Sequence, residues 1–176
     1  PDGIGVVWAL KRRGHRGVIK IAGCEIWLQI IKKYYTDKSF YLIGGSQKVI
    51  EQTVSKLRTD FPCIRILNYR NGFFDNENEE KALIQDVKNF GPDFVFVGCG
   101  SPRQEILMQS MQQEHDCIYQ GLGGSFDVYT GKKKRAPDFW IKANLEWAYR
   151  LVSQPSRIKR QVVYIKFFIK LIFNKL

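Results

Sequence analysis

The chain has 176 residues, 44% of them hydrophobic, which is enough for one domain with a sizeable core, and it contains no long low-complexity or linker-like stretch. Its net charge is +11, yet residues 132–176 hold 12 of the 28 Lys+Arg and only 2 of the 17 Asp+Glu, leaving 16 against 15 elsewhere, so the charge acts at the C-terminal end. Cys24, Cys63, Cys99 and Cys117 form no CxxC pair and have no His partner at ligand spacing. They read as reduced core residues of a cytosolic protein, not as disulfides or zinc ligands.

In chain order, Pro1-Asp2-Gly3-Ile4-Gly5 reads as a turn, with Asp2 at the mouth of a helix from Val6 to Arg13. An aspartate there is a favoured N-cap, which is its simplest role. The absence of an initiator Met and of a signal peptide predicts that an N-terminal part precedes this sequence. Val18 to Ala22 is expected to form a strand, followed by a helix from Glu25 to Tyr35 with Ile26, Ile30 and Ile31 on one face. Phe40-Tyr41-Leu42-Ile43 reads as a buried strand running into Gly44-Gly45-Ser46 and a helix from Gln47 to Asp60. Ile64 to Leu67 is the next strand, then a Gly72-Phe73-Phe74 loop and a helix from Glu77 to Asn89.

The most informative stretch is Asp93 to Glu105, DFVFVGCGSPRQE. Phe94 to Val97 is uninterrupted and apolar, the pattern of a strand buried on both faces of a parallel sheet. It breaks into Gly98-Cys99-Gly100-Ser101-Pro102, where Ser101 reads as the N-cap and Pro102 as the first turn of a helix reaching Glu114. Cys117-Ile118-Tyr119 is a further strand, ending in the glycine-rich turn Gly121 to Asp127. Strands alternating with helices of about a dozen residues specify βαβ units and a doubly wound, mostly parallel, Rossmann-like sheet.

Three strands therefore end in glycine turns, Gly44-Gly45, Gly98-Cys99-Gly100 and Gly121-Leu122-Gly123-Gly124, expected along one edge of the sheet. Free backbone N–H groups and helix dipoles at such an edge favour anions, so a nucleotide diphosphate is a reasonable occupant, with Gln104, Glu105 and Asp127 at hand. The turns used only for backbone geometry are an equal competitor. GxxxxGK[ST] is absent and GLGGSF is only loosely related to GxGxxG, so P-loop NTPases and NAD dehydrogenases lack their signatures. There is no DxD, HExxH or GxSxG, and His15 and His115 lie in polar turns and are read as solvated. A diphosphate would then be held without a metal, by helix N-termini and by Arg or Lys.

Lys132-Lys133-Lys134-Arg135 ends the expected core, residues 1–135, and precedes a helical appendage, residues 136–176. A helix is expected from Pro137 to about Val152, broken by Gln154-Pro155-Ser156. In the last segment Ile158, Val162, Ile165, Ile169, Ile172 and Leu176 make one apolar stripe with Lys159, Lys166 and Lys170 opposite. The lysines keep it far short of the ~20 apolar residues that span a bilayer, but it suits an anionic membrane surface. Packing on a partner subunit and binding of nucleic acid are the competing uses. The aliphatic and phenylalanine content ranks membrane first, with no nucleic acid as partner.

Taken together, PDGIGVVWA, IAGCEIW, YLIGG, NGFF, VGCGSPRQE, GLGGSFDVYTGKKKRAP and LEWAYRLVSQPSRIKR resemble the bacterial WecG/TagA/CpsF glycosyltransferases over essentially the whole chain, in order. The resemblance implies an inverting, metal-independent transfer, with no cofactor, from a UDP-sugar donor to polyprenyl-diphosphate-linked GlcNAc at the inner face of the cytoplasmic membrane, in cell-surface polysaccharide synthesis. The sugar implied is of the N-acetylmannosamine type, as UDP-ManNAcA or UDP-ManNAc; a homo-oligomer is left open, and a non-catalytic nucleotide-binding scaffold is the alternative. Asp2 matches the aspartate proposed as general base toward the acceptor hydroxyl. Gln104 matches the glutamine of GxPxQE near the donor sugar. Lys20 stands where relatives usually have Arg, and Glu25 where they usually have Asp. Arg150, Arg157 and Arg160 match arginines of the C-terminal appendage thought to close over the site.

Overall fold

The computed structural model describes residues 3–143 and 145–153. The chain forms two compact units, Gly23–Lys134 and, together, Pro1–Ala22 with Arg135–Leu176. The first holds the whole sheet: β1 (Ser39–Gly44), β2 (Arg65–Arg70), β3 (Phe94–Gly98) and β4 (Ile118–Gly121), in the order β2-β1-β3-β4. Every pairing is parallel, with one register irregularity between Phe40 and Tyr41.

The continuous apolar runs of β1 and β3 arise because helices cover both faces of the sheet. Alternate residues of the same strands supply two cores. Phe40, Leu42, Phe94 and Phe96 pack with Trp27 and Ile31 of α2 (Gly23–Tyr34), with Val49, Ile50, Val54 and Leu57 of α3 (Gln47–Asp60), and with Phe126 of α6 (Ser125–Tyr129). Tyr41, Ile43, Val95 and Val97 pack with Leu83 and Val87 of α4 (Glu77–Phe90) and Leu107 and Met111 of α5 (Arg103–Glu114). Trp27 is fully buried and meets Phe96, Phe126 and Tyr129 edge-on, at centroid distances of 5.8, 5.5 and 5.4 Å. It anchors α2 together with the equally buried Ile31, whereas Ile26 and Ile30 are half-buried.

Local chemistry sets the helix ends. The Ser46 hydroxyl caps α3 by accepting the Val49 N–H at 3.4 Å, and Asn76 caps α4 by accepting the Glu79 N–H at 3.0 Å. Three acids, Glu77, Glu79 and Glu80, fill the first turn of α4, and Gly91 closes it with φ +58°. At the opposite edge Asp93 joins the starts of β1 and β3. Its carboxylate accepts the Ser39 N–H and hydroxyl, both at 2.8 Å, and the Lys38 ammonium at 2.9 Å.

Several local expectations are corrected. Residues 18–22 form no strand, and Ile19 and Ile21 are exposed; an apolar run becomes a strand only when it gains a ladder partner, and this one has none among the described residues. The first helix, α1 (Ile4–Arg12), starts inside the expected turn, with Gly3 as N-cap. The N-cap of α5 is Pro102, not Ser101; it makes no side-chain cap, and the Ser101–Pro102 peptide is cis. The turn from Gly121 to Asp127 coils into α6 from Ser125 onward. His115 is half-buried, its ring nitrogen 2.9 Å from the Pro92 carbonyl oxygen, whereas His15 is exposed as expected. Cys63 is exposed and the other three cysteines half-buried, so none is a fully buried core residue.

In the second unit the helix expected from Pro137 to Val152 is two, α7 (Asp138–Lys142) and α8 (Glu146–Ser153). The Leu145 N–H reaches back to the Trp140 carbonyl at 2.8 Å, one residue further than the α-helical pattern, and the Leu145 carbonyl then accepts the Ala148 and Tyr149 N–H groups of α8. Among the described residues no helix is long and apolar enough to cross a membrane. The expected amphipathic stretch from Ser156 to Leu176 lies outside the described residues.

Candidate active site

Because all four strands run parallel, their carboxyl ends share one rim. The register sets Gly44 beside Gly98 and Val97 beside Gly121, so the three glycine turns come side by side. The helix after β1 packs on one face of the sheet and the helix after β3 on the other, which opens the crevice typical of a topological switch point between these two strands.

The glycines divide into two kinds. Gly44, Gly72 and Gly98 allow close backbone packing: a Cβ on Gly44 would lie 2.6 Å from Gly98 backbone atoms, one on Gly72 3.0 Å from the Gly44 Cα, and one on Gly98 3.0 Å from the Phe126 ring. The Gly45 N–H donates to the Gly98 carbonyl at 3.3 Å, and the Gly72 N–H to the Gly45 carbonyl at 2.9 Å, so the turns are knitted together. Gly100 and Gly123 have positive φ, +80° and +55°, and nothing within 4 Å of where a side chain would start. These two leave open space over the backbone. Gly124 is equally unobstructed, with only the Asp127 carboxylate nearby at 3.8 Å.

Charged groups surround these turns. Phe74 is flanked by two guanidinium groups, with Arg70 and Arg103 at 4.9 and 4.7 Å from the ring centroid. Arg103 also donates to the Phe74 carbonyl at 3.4 Å, whereas Arg70 is engaged by Glu79. Asp127, in the first turn of α6, accepts Lys133 Nζ at 2.8 Å and has Lys132 Nζ at 3.7 Å, which fixes two ammonium groups beside Gly124. Burial pushes the Glu105 carboxyl up, but hydrogen bonds from the Gln104 amide, its own backbone N–H and the Ser101 hydroxyl outweigh this and hold it below the usual range. Glu105 thus stays ionised and itself compensates the N-terminus of α5. Burial of the Cys99 thiol raises its pKa to about 11, so it is no nucleophile at neutral pH.

Of the residues singled out from the sequence, Gly44, Gly45, Gly100, Gln104, Glu105, Gly123, Gly124 and Asp127 all fall on this rim or in its adjoining helices. Gln104 is buried, its amide directed at Gly123 and Glu105. Lys20 belongs to the other unit, where its ammonium lies 4.0 Å from the Glu146 carboxylate. Arg150 is carried by α8. Asp2, Arg157 and Arg160 lie outside the described residues. Among the described residues, no group of three or more His, Cys, Asp or Glu is placed to hold a metal ion. Arg103, Lys132 and Lys133 were not singled out from sequence as site residues, although Arg103 stands inside the PRQE motif and the lysines inside the noted basic run.

A rim of glycine turns ringed by Arg and Lys is chemically suited to a phosphorylated ligand. The family model described as Glycosyl transferase WecG/TagA/CpsF family matches residues 1–176, from the first residue to the last, and the chain therefore belongs to this family of glycosyltransferases of cell-surface polysaccharide synthesis.

Proposed function

We propose that the rim binds the diphosphate of a UDP-sugar and that the protein transfers an N-acetylmannosamine-type sugar, from UDP-ManNAcA or UDP-ManNAc, to polyprenyl-diphosphate-linked GlcNAc. The observation that carries this reading is the juxtaposition of three glycine turns at the switch point, two of them with unobstructed positive-φ glycines, beside cations. Gly100, Gly123 and Gly124 offer backbone to the phosphates, while Arg103, Lys132 and Lys133 offset their charge. No metal is required by this arrangement.

Transfer with inversion is a single displacement. A base takes the proton of the acceptor hydroxyl, the oxygen attacks the anomeric carbon, and UDP leaves from the opposite face. Asp2 is assigned as that base. Lys20, Arg150, Arg157 and Arg160 are assigned to the diphosphates of donor and acceptor. The stripe of residues 158–176 with Lys159, Lys166 and Lys170 is assigned to the anionic inner surface of the cytoplasmic membrane, where the lipid acceptor resides.

The test is calorimetric titration with UDP, followed by a transfer assay with each UDP-sugar and a short-chain polyprenyl-diphosphate GlcNAc. UDP binding with product formation is expected, and Asp2→Asn should abolish transfer while UDP still binds. Wild-type turnover in Asp2→Asn would remove the base assignment. UDP binding without turnover by any donor would favour a scaffold, and no UDP binding would defeat the donor-site reading. Deleting residues 156–176 should release the protein from anionic liposomes; unchanged flotation would remove the membrane assignment.

A further inference from the structure

We infer that Gln104 is a positioning residue that clips the β4–α6 turn into shape, rather than a group that touches the donor sugar. The inference rests on the donor-site reading above and assigns a physical role within it.

Gln104 occupies the first turn of α5 and is 8% exposed. Its Oε1 accepts the Gly123 N–H at 2.9 Å, and its Nε2 donates to Glu105 Oε1 at 2.8 Å. The amide also lies flat against the end of β4: a Cβ on Gly121 would be 2.5 Å from Nε2 and 3.0 Å from Cδ. Gly121 is therefore the space into which the Gln104 side chain fits. A glutamine amide has two N–H donors and one carbonyl acceptor; here the acceptor and one donor are spent within the protein, under cover from solvent. Little of the group remains to recognise a sugar.

The arrangement explains how a turn of three glycines holds one shape. Glycines lose more conformational freedom on ordering than other residues, so a free GLGG turn would be ordered at the expense of ligand affinity. Backbone and side-chain hydrogen bonds order it in advance. The Leu122 N–H donates to the Val97 carbonyl at 2.7 Å, the Gly123 N–H is held by Gln104, and the Ser125 hydroxyl donates to the Leu122 carbonyl at 2.7 Å. The first and third are made by residues at the two ends of the turn. Gln104 reaches the Gly123 N–H in its middle, from an element that precedes it by nineteen positions. Glu105, kept ionised, anchors the Nε2 end of the same amide, so the clip is a two-point device.

A positioning residue and a contact to the donor sugar differ in what they do to UDP, which lacks the sugar to be transferred. Gln104→Ala should weaken UDP and UDP-sugar by the same factor, roughly three- to tenfold for the loss of one such hydrogen bond. A sugar contact would weaken only the UDP-sugar. Hydrogen exchange gives a readout without ligand: the Gly123 amide should lose protection in Gln104→Ala. Gly121→Ala should behave like Gln104→Ala because its methyl expels the amide. The double variant should be no worse than Gly121→Ala alone, since the shortened side chain vacates the space. Unchanged UDP affinity in Gln104→Ala, or a Gly123 amide still protected in it, would overturn the inference, as would additive losses in the double variant. If the wild-type protein binds neither UDP nor a UDP-sugar, the donor-site reading fails instead, and the exchange measurement by itself decides whether the clip exists. If Gln104→Ala does not fold, Gln104→Met, which keeps the volume and removes the acceptor, replaces it in the affinity and exchange arms.

Discussion

Replacing Gly44 by alanine tests the tightest contact at the rim. Gly44 has φ +141°, and an added Cβ would lie 2.6 Å from the Cα, C and O of Gly98, its partner in the β1–β3 register. Those atoms are backbone of a central strand, so no side chain can rotate out of the way. Two costs combine: about 1–3 kcal/mol for alanine in a backbone region that only glycine adopts readily, and about 1–3 kcal/mol for overpacking. Their sum, about 2–6 kcal/mol, is a large part of the roughly 5–15 kcal/mol that holds a domain folded. Gly100→Ala is the matched control, because φ is +80° there but nothing stands within 4 Å. It carries the conformational cost alone, about 1–2 kcal/mol. Urea unfolding followed by far-UV circular dichroism, with the slope checked for constancy, separates the two. Gly44→Ala should lose the larger amount by about 1–3 kcal/mol, the steric share. Equal midpoint shifts for the two variants would refute the close approach of β1 and β3.

Trp27→Ala should cost about 3–5 kcal/mol in the same assay, since it empties the space where Phe96, Phe126 and Tyr129 meet; a loss under about 1 kcal/mol would show that Trp27 is not an anchor of α2. Hydrogen bonds from the Ser39 backbone N–H, the Lys38 ammonium and the Ser39 hydroxyl hold the Asp93 carboxyl at about 2, below its ordinary 3.8. A depressed folded-state pKa means that this stabilisation is complete above pH 3.8 and is lost as pH falls toward 2, so Asp93→Asn should flatten the acid limb of a stability–pH profile; an unchanged limb would contradict the assignment. Alkylation with iodoacetamide at pH 8, read by mass spectrometry, should modify exposed Cys63 before Cys99, whose thiol burial has pushed up to about 11; the reverse order would refute the burial of Cys99.

Most of the sheet is legible in residue order because its central strands are locally conspicuous. Phe40–Ile43 and Phe94–Val97 are unbroken apolar runs, and capped α3 begins and ends where its Ser46 and its amphipathic pattern place it. The weaker elements depart from their local pattern where that pattern has no tertiary support. Val18 to Ala22 has the composition of a strand but no ladder among the described residues, and the stretch from Pro137 to Val152 has helical periodicity but a break at Leu145. The site follows the same division. That glycines end the strands is visible at once, whereas the use of each glycine depends on what lies opposite it: Gly98 for Gly44, Gln104 for Gly121, and open space for Gly100 and Gly123.

The amino-acid sequence by itself determined the parallel α/β class, the glycine turns at the strand ends and membership of a glycosyltransferase family, because each is written in short contiguous segments. Only the tertiary structure decided the strand order β2-β1-β3-β4, the assignment of alternate strand residues to two separate cores, the coupling of Gln104 to Gly123 and the pairing of Asp127 with Lys132 and Lys133. The physical reason is range. Strand and helix propensity act within a few residues, but which strands neighbour each other, and which side chain fills the space a glycine leaves, is set by the packing of segments distant in the chain, and local patterns carry no record of that packing.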